Sequence, residues 1–266
     1  MRHLKSSFRD LRQIVEQTMT IRHLAESFVS FDGQRTVVEV RSFMDDKDFD
    51  IVGVRHNGVV AGYAKRTELD AGTLTDHLVS FQASPILEES DPILDALHLL
   101  RESPFVFVLA FGQVSGIVTK GDLQKAPIRM WLFSVISLLE MQFLRIIRGC
   151  YPDNSWKSLI PSDRLQSAHR LFEERCRRNE AIDLADCLQF ADKKTIILKN
   201  ERLRSSLGLR SRTNAEDVLK RLEHLRDKLA HAQDIITDQW PQLIEVAEAA
   251  ENMLSRVEVL APDRLG

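Results

Sequence analysis

Apolar positions along the chain follow two different patterns, and the change falls near residue 126. Before it, short apolar runs bounded by glycine, asparagine and proline alternate with helical spacing, which predicts strands and helices in turn. Asn57-Gly58 separates two of these runs and is typical of a hairpin turn, because both residues accept a positive φ. The predicted elements of this first stretch are helices over 4–30 and 36–44 and strands over 51–54 and 59–64.

The same order of elements then returns. Apolar runs over 86–87, 105–109 and 114–118 predict three strands, and Ser90-Asp91-Pro92 predicts the start of a helix, with a capping residue before a proline in the first turn. The segment Gly116-Ile117-Val118-Thr119-Lys120-Gly121-Asp122 has a fainter copy 54 residues upstream, Gly62-Tyr63-Ala64-Lys65-Arg66-Thr67-Glu68. A repeat at a fixed offset indicates one supersecondary unit used twice. We therefore expect a β-α-β-β-α unit in tandem, at about 20–72 and 80–126.

Beyond Ala126-Pro127 helical periodicity dominates, and strand signals are limited to the brief run 195–198. Pro152 and Pro161 fit helix starts or loops. The predicted helices lie near 127–148, 162–179, 183–191, 214–232 and 238–257. The chain is therefore expected to be an α+β multidomain protein, in which a tandem β-α-β-β-α pair over 1–126 precedes an all-α helical bundle over 127–266.

The most apolar stretch of the chain runs from Met130 to Ile147. Its length approaches that of a membrane span, but Glu140 and Arg145 lie within it, and membrane spans rarely carry ionisable groups. We therefore interpret this stretch as a buried helix of the bundle.

Composition is that of an ordinary soluble globular protein, with 44% hydrophobic and 28% charged residues among 266. The net charge of −3 shows no global basic excess of the kind that indicates nucleic acid binding. The three cysteines, Cys150, Cys176 and Cys187, form no CxxC pair and no Cys/His cluster, which argues against a zinc site and fits a reducing cytosol. No hydrophobic signal core follows Met1, so we expect a cytoplasmic protein without a metal cofactor.

Thr119 and Asp122 lie three residues apart, just after an apolar strand. A carboxylate accepts hydrogen bonds from both hydroxyls of a ribose, and a hydroxyl with the N–H groups of a helix start holds a phosphate. An adenine would then lie between apolar strand residues such as Ile86, Phe105 and Val106. The competing interpretation is structural, with Asp122 capping a helix and Thr119 ending a strand.

The repeat and its segment from Gly116 to Asp122 resemble the cystathionine-β-synthase (CBS) domain, which occurs as tandem pairs. The resemblance covers about residues 20–126. It implies a regulatory unit that binds an adenine nucleotide (AMP, ADP or ATP), with Asp122 on the ribose, Thr119 on the phosphate, and Gly116 and Ile86 beside them.

The upstream copy departs from this pattern, because Lys65 replaces the threonine and Glu68 replaces the aspartate. Glu68 remains able to hold a ribose, and Lys65 is able to pair with a phosphate as a point charge. The two copies are therefore not expected to be equivalent nucleotide sites.

A second candidate site is the segment Arg226-Asp227-Lys228-Leu229-Ala230-His231 on a strongly predicted helix. RNA cleavage without metal needs a proton donor or acceptor near neutral pH, which suits histidine, and a fixed cation for the phosphorane-like transition state, which suits arginine. The 2′-hydroxyl of the RNA would be the nucleophile and a 2′,3′-cyclic phosphate the product. Arg226 and His231 lie about 140° apart around an ideal helix, so a joint site needs a long reach, a distorted helix or a second chain.

This segment resembles the motif of HEPN (higher eukaryotes and prokaryotes nucleotide-binding) ribonucleases, in which arginine, a polar residue and histidine lie on a late helix of an α-bundle. The resemblance covers about residues 127–257 and rests on six residues. It implies Arg226, Asp227 and His231 as catalytic residues at the cleft of a symmetric homodimer. The polar position is often asparagine in the family. Asp227 either orients His231 or places a negative charge near the substrate phosphate.

Both resemblances together predict a nucleotide-gated endoribonuclease that forms a homodimer and acts on RNA, with no membrane partner. The alternative is a non-catalytic regulatory or interaction protein, whose helical domain dimerises or binds a partner. Basic runs near 175–178 and 202–212 either contact RNA phosphates or form solvated faces.

Overall fold

The computed structural model describes residues 8–231, 233, 235 and 240–259. Residues 16–128 form one compact unit, and the described residues 8–15 group with those from 129 onward in a second unit. Up to residue 119 the helices and strands are α1 (Phe8–Thr18), β1 (Glu26–Ser27), β2 (Ser30–Asp32), α2 (Val37–Lys47), β3 (Ile51–His56), β4 (Val59–Lys65), β5 (Ile86–Glu88), α3 (Ile93–Glu102), β6 (Phe105–Ala110) and β7 (Gln113–Thr119). The later helices are α4 (Ala126–Cys150), α5 (Ser162–Arg177), α6 (Phe190–Lys199), α7 (Glu201–Ser206), α8 (Arg212–Ala230) and α9 (Trp240–Val259).

Residues 16–128 contain two sheets built on one plan. In the first, β2 lies parallel to β3, and β3 pairs antiparallel with β4; in the second, β5 lies parallel to β6, and β6 pairs antiparallel with β7. The hairpin turns correspond as well, since Asn57 and Phe111 have φ values of 51° and 52° and the glycine that follows each also has a positive φ. The predicted β-α-β-β order is therefore confirmed in both copies.

Each copy is preceded by a short segment that pairs with the other copy's sheet. β1, before the first copy, pairs antiparallel with β7 beside Gly116, and Val79, before the second copy, forms a bridge with Tyr63 on β4. A Cβ at Gly62 would lie 2.3 Å from the Val79 carbonyl oxygen, and a Cβ at Gly116 would lie 3.3 Å from the Ala25 Cβ. The repeated glycine therefore makes room for the exchanged segment.

An aromatic cluster joins the two sheets. Phe107 on β6 is fully buried, and its ring centroid lies 5.0 Å from that of Tyr63 on β4, 5.1 Å from Phe28 and 4.7 Å from Phe81. These tilted and edge-on arrangements are the ones that aromatic rings prefer. Residues of both copies therefore meet in this cluster, while the first copy also has a core cluster of its own around Val40 and Met44.

Several predicted boundaries in this region are wrong. The helix expected over 4–30 ends at Thr18, and 26–27 and 30–32 are strands; residues 1–7 lie outside the described part of the chain. The closing helix of the first copy is replaced by two 3₁₀ helices, Arg66–Glu68 and Leu74–His77, because Gly72 between them adopts a φ of 89° that interrupts a helix. Pro92 is itself the N-cap of α3.

Helix α4 is packed into the second unit along most of its length. Leu139, Phe143 and Ile146 have no exposed surface. Within the described ranges α4 is the one helix long and apolar enough to cross a membrane by length and composition, and 56% of its most apolar window is buried inside the protein. Its Glu140 accepts a hydrogen bond at 2.7 Å from Lys193 on α6, so the acidic residue within the apolar stretch serves the contact between two helices.

The run 195–198 is not a strand but part of α6, where Ile196 and Ile197 are fully buried. The helix expected over 183–191 is also wrong, since a 3₁₀ helix over Leu184–Cys187 precedes α6. Two capping residues explain the division: the Asp183 carboxylate accepts from the N–H of Ala185, and Gln189 N–H donates to the carboxylate of Asp192, three residues into the next helix. Helices α4, α5, α8 and α9 lie within a few residues of their predicted bounds, whereas α7 was not predicted.

Candidate functional sites

Thr119 and Asp122 are joined to each other. Thr119 is the last residue of β7, and Asp122 lies in the 3₁₀ helix Lys120–Gln124 that follows. Asp122 Oδ2 accepts hydrogen bonds from the Thr119 N–H at 2.6 Å and from Thr119 Oγ1 at 2.9 Å. The two side chains expected to bind a nucleotide therefore also form a capping box, as the structural interpretation holds.

The second oxygen of Asp122 is held by Lys125, a residue that the sequence pattern did not single out. Lys125 Nζ lies 2.8 Å from Asp122 Oδ1, donates to the Leu24 carbonyl oxygen at 2.7 Å and contacts Glu26 Oε1. Burial alone would lower the pKa of Lys125, but the hydrogen bonds to Asp122 and Glu26 together outweigh it and raise that pKa. Asp122 itself is only 7% exposed. A buried carboxylate and an ammonium group are thus held together at the end of β7.

Strand register brings the predicted apolar contacts to the same end of the sheet. Phe105 lies directly opposite Thr119, and Ile86 on β5 pairs with Phe107 on β6. Ile86 is half-buried against the aromatic cluster, whereas Val106 is fully buried and has no surface to offer a ligand. The starts of β5 and β6 therefore lie beside the end of β7.

The corresponding charges of the upstream copy lie on open surface. Lys65 Nζ lies 2.8 Å from Glu68 Oε1, and the two side chains are 40% and 49% exposed. The hydrogen bond to Glu68 raises the pKa of Lys65. An exposed pair of this kind contributes little stability and leaves both groups accessible to solvent.

A second Thr-x-x-Asp capping box occurs in the first copy, at Thr73 and Asp76. Asp76 Oδ2 accepts hydrogen bonds from the Thr73 N–H at 2.8 Å and from Thr73 Oγ1 at 3.0 Å, and these bonds lower the pKa of Asp76. In the described part of the chain no lysine or arginine pairs with Asp76. The box geometry alone therefore does not mark a ligand site, and Lys125 is what distinguishes Asp122.

The candidate catalytic residues lie at the C-terminal end of α8. His231 is the C-cap, and its N–H donates to the Asp227 carbonyl oxygen at 3.1 Å. Arg226 Nη1 lies 3.1 Å from Asp227 Oδ1, with the two side chains 40% and 55% exposed. The ion-pair partner of Arg226 is thus Asp227 and not His231. This agrees with the angle of about 140° between Arg226 and His231 around an ideal helix.

Two open cavities of about 570 and 100 Å³ lie along α8 and α9, and neither includes the three candidate catalytic residues in its lining. Arg221 lines both, and its guanidinium is paired with Asp217 at 3.0 Å and with Glu245 at 3.1 Å. The smaller cavity adds His224 and Lys228. These three basic residues share one side of α8 by their i, i+3 and i+7 spacing, a pattern that could have been found in the sequence.

Over the ranges that the structure describes, no group of three or more His, Cys, Asp or Glu side chains is arranged to hold a metal ion. Cys150 is half-buried, Cys176 exposed and Cys187 buried, and all three are free thiols.

No protein-family model matches the sequence, and no curated protein matches it. Among solved structures, the chain is similar to CBS-domain proteins. A CBS-pair protein from Arabidopsis thaliana is 16% identical, with 42% of this chain and 95% of that chain covered and a TM-score of 0.37. A hemolysin-like protein containing a CBS domain, from Oenococcus oeni, is 13% identical, with 44% and 96% covered and a TM-score of 0.34. The CBS domain of a bacterial CNNM/CorC family Mg²⁺ transporter in complex with ATP is 16% identical, with 44% and 91% covered and a TM-score of 0.34.

Proposed function

We propose that residues 16–128 bind an adenine nucleotide at the end of β7 and act as a regulatory unit. The observation that carries this proposal is the pairing of the buried Asp122 with the half-buried Lys125, 2.8 Å apart. A carboxylate suits the two hydroxyls of a ribose, and an ammonium group suits a phosphate. Both groups are already present at the strand end, where the carboxylate would accept hydrogen bonds from the ribose hydroxyls and the ammonium group would pair with one phosphate charge.

Binding would exchange partners within the site. Asp122 Oδ2 would keep its two hydrogen bonds from Thr119, while Oδ1 would turn from Lys125 to the ribose hydroxyls. Lys125 would turn from Asp122 to the phosphate. Asp122 and Lys125 would therefore each have a hydrogen-bonding partner both before and after the exchange.

The position of Lys125 also offers a route for regulation. Its ammonium group holds the Leu24 carbonyl and Glu26, which belong to the segment exchanged between the two copies, and α4 begins at the next residue, Ala126. A nucleotide that draws Lys125 away would therefore loosen β1 and alter the start of α4. The ligand can shift this equilibrium only by its different affinities for the two arrangements.

Calorimetric titration of the full chain with AMP, ADP and ATP tests the proposal. Asp122→Asn keeps the side-chain shape and removes the charge, and Asp76→Asn is the matched control because Asp76 makes the same two hydrogen bonds to its threonine. We expect affinity to fall at least tenfold in Asp122→Asn and to be unchanged in Asp76→Asn. Lys125→Met should weaken binding of the nucleotides but not of adenosine. No binding by the wild type, or an equal loss in both Asn variants, would contradict the site.

We also propose that the helical unit is a metal-independent endoribonuclease. The proposal is supported by the grouping of Arg226, Asp227 and His231 at one accessible helix end. Arg226 would stabilise charge on the phosphorane-like transition state, and His231 would transfer the proton of the 2′-hydroxyl or the leaving oxygen. Because Arg226 points away from His231 along one helix, a second copy of α8 would complete the site in a homodimer.

One contact favours the alternative, a non-catalytic interaction role for this unit. The guanidinium of Arg226 already pairs with Asp227, and an RNA phosphate would have to displace that carboxylate. A neighbouring negative charge of this kind disfavours a phosphate ligand unless Asp227 turns away on binding.

Incubation with RNA in the presence of a chelator separates the two roles. His231→Ala should abolish cleavage to 2′,3′-cyclic phosphate ends, whereas His224→Ala, on the same helix and also exposed, should not. If the wild-type protein leaves the RNA intact with and without each nucleotide, the ribonuclease proposal fails and the interaction role remains.

A further inference from the structure

One side of α4 leaves large apolar side chains in solvent. Met130, Phe133 and Met141 are 58%, 47% and 51% exposed, and Ser137 and Leu144 on the same side are half-buried. At 100° per residue these five positions fall within about 40° of Ser137 around the helix axis, and they span about 21 Å along it. We call these five residues the α4 stripe.

Charged residues of α4 have partners of their own, including Arg148, which lies in line with the stripe one turn beyond Leu144 and pairs with Asp183 and Asp186. Glu140, at its border, accepts a hydrogen bond from the nearly buried Lys193 of α6 at 2.7 Å. Arg145 donates to Gln142 Oε1 at 3.1 Å, and Gln142 is itself buried. The stripe is therefore an uncharged surface from Met130 to Leu144.

The stripe has an internal symmetry. Taking Ser137 as the centre, large apolar residues stand four positions away on each side, Phe133 and Met141, and again seven positions away, Met130 and Leu144. In an antiparallel pair of identical helices centred on this serine, Phe133 of one copy lies level with Met141 of the other, and Met130 lies level with Leu144. A small residue at the centre lets the two helices approach closely.

We propose that the α4 stripe is a self-association surface, on which a second copy of this chain packs its own α4 antiparallel about a two-fold axis at Ser137. A two-fold interface requires a patch that is complementary to itself, and the stripe has that property in its sequence order. The five stripe residues carry no charge, and Arg129 and Arg145, which would lie level at its flanks, are each held by a partner in their own chain. This inference does not depend on nucleotide binding or on ribonuclease activity.

A lipid surface fits the stripe less well. Helices that lie on membranes carry lysine and arginine beside the apolar face, free to meet anionic headgroups. Here the neighbouring Arg129 donates to the Gln233 carbonyl oxygen at 2.8 Å, Arg145 is held by Gln142, and Glu140 adds a negative charge at the border. The stripe has five residues, far fewer than the roughly 20 to 30 a side of a standard interface, so we expect a dissociation constant in the micromolar range.

Sedimentation velocity of the full chain over a concentration series tests the proposal. Phe133→Glu and Met141→Lys, each alone, should weaken dimerisation at least tenfold. The two substitutions together in one chain should restore it, because in the antiparallel pair the new carboxylate lies level with the new ammonium group of the other copy. The control is Leu171→Glu, an exposed apolar position on α5 that is 40% exposed and should leave the dimer intact.

Circular dichroism of each variant verifies that these exposed substitutions leave the fold unchanged. A wild-type protein that stays monomeric at about 100 μM, well above a micromolar dissociation constant, would overturn the proposal. So would equal weakening by Leu171→Glu, or a double variant that stays monomeric. Flotation of a monomeric protein with phosphatidylcholine vesicles, lost in Phe133→Glu, would assign the stripe to a lipid surface instead.

Discussion

Replacing Gly62 with alanine is expected to destabilise residues 16–128 much more than the same change at Gly116, although the repeat aligns the two glycines. A Cβ at Gly62 would lie 2.3 Å from the Val79 carbonyl oxygen, which is backbone and cannot turn aside. A Cβ at Gly116 would have its nearest contact at 3.1 Å, with the Val108 Cβ, and needs a shift of only a few tenths of an ångström.

The expected loss in the free energy of unfolding follows from the hydrogen bonds that the displaced segment makes. Tyr63 and Val79 exchange two backbone hydrogen bonds, at 3.0 and 2.8 Å. Losing both costs about 2 kcal/mol at roughly 1 kcal/mol each, and overpacking adds about 1 to 3 kcal/mol. Alanine recovers about 0.4 to 1 kcal/mol by restricting the unfolded chain. We therefore expect a net loss of about 2 to 5 kcal/mol for Gly62→Ala, against a change within about 1 kcal/mol for Gly116→Ala.

The assay has to report on the unfolding of residues 16–128 alone. All three tryptophans, at 131, 156 and 240, lie outside residues 16–128, so their fluorescence follows the other unit. Urea unfolding monitored by hydrogen exchange and mass spectrometry resolves peptides over 59–65 and 75–82, where the Tyr63–Val79 bonds lie. Equal stability of the two variants, or unchanged protection of these peptides in Gly62→Ala, would refute the account of the exchanged segment.

Three further predictions concern stability. Phe111→Asn should stabilise the protein by about 1 kcal/mol in chemical denaturation, because Phe111 is fully exposed at a φ of 52° where the other copy has Asn57, and asparagine accepts that conformation more easily. Lys193→Met should cost about 2 to 4 kcal/mol in urea unfolding followed by tryptophan fluorescence, since it leaves the carboxylate of Glu140 without its ammonium partner; adding Glu140→Leu should recover most of the loss. Burial raises the pKa of Asp95, so stability falls as the pH rises from the ordinary value of 3.8, and the loss is complete above the raised pKa. Asp95→Asn should therefore raise the melting temperature near neutral pH and not below 3.8.

Local chemistry explains the parts of the fold that the sequence predicted correctly. The Asn57-Gly58 turn and the order of helices and strands within each copy depend on residues close together in the chain, and both are present in the structure. The run 195–198 was misread because a β-branched apolar run suits a strand and a buried helix equally well. The carboxylate of Asp192, which caps the start of α6 three residues earlier, was the local signal that decides between them.

Contacts between distant parts of the chain could not be predicted in this way. Lys125 stands three residues after Asp122, a spacing visible in the sequence, but its other partner Glu26 is 99 residues away. The exchange of short segments between the two copies was also unpredictable, because no pattern in the sequence of β1 identifies β7 as its partner. Two residues are too few to show the period of a strand, so only the pairing defines it.

The two capping boxes show what a sequence motif does and does not specify. Thr73–Asp76 and Thr119–Asp122 have the same residues, the same spacing and the same hydrogen bonds, so a search for that motif cannot tell them apart. In each box one carboxylate oxygen accepts both hydrogen bonds from the threonine, and the other oxygen accepts none from it. At Asp122 that oxygen is held by Lys125 in a nearly buried position, which makes the lysine the group that a ribose would have to replace. The chemistry proposed for Asp122 therefore depends as much on Lys125 leaving as on the carboxylate being present.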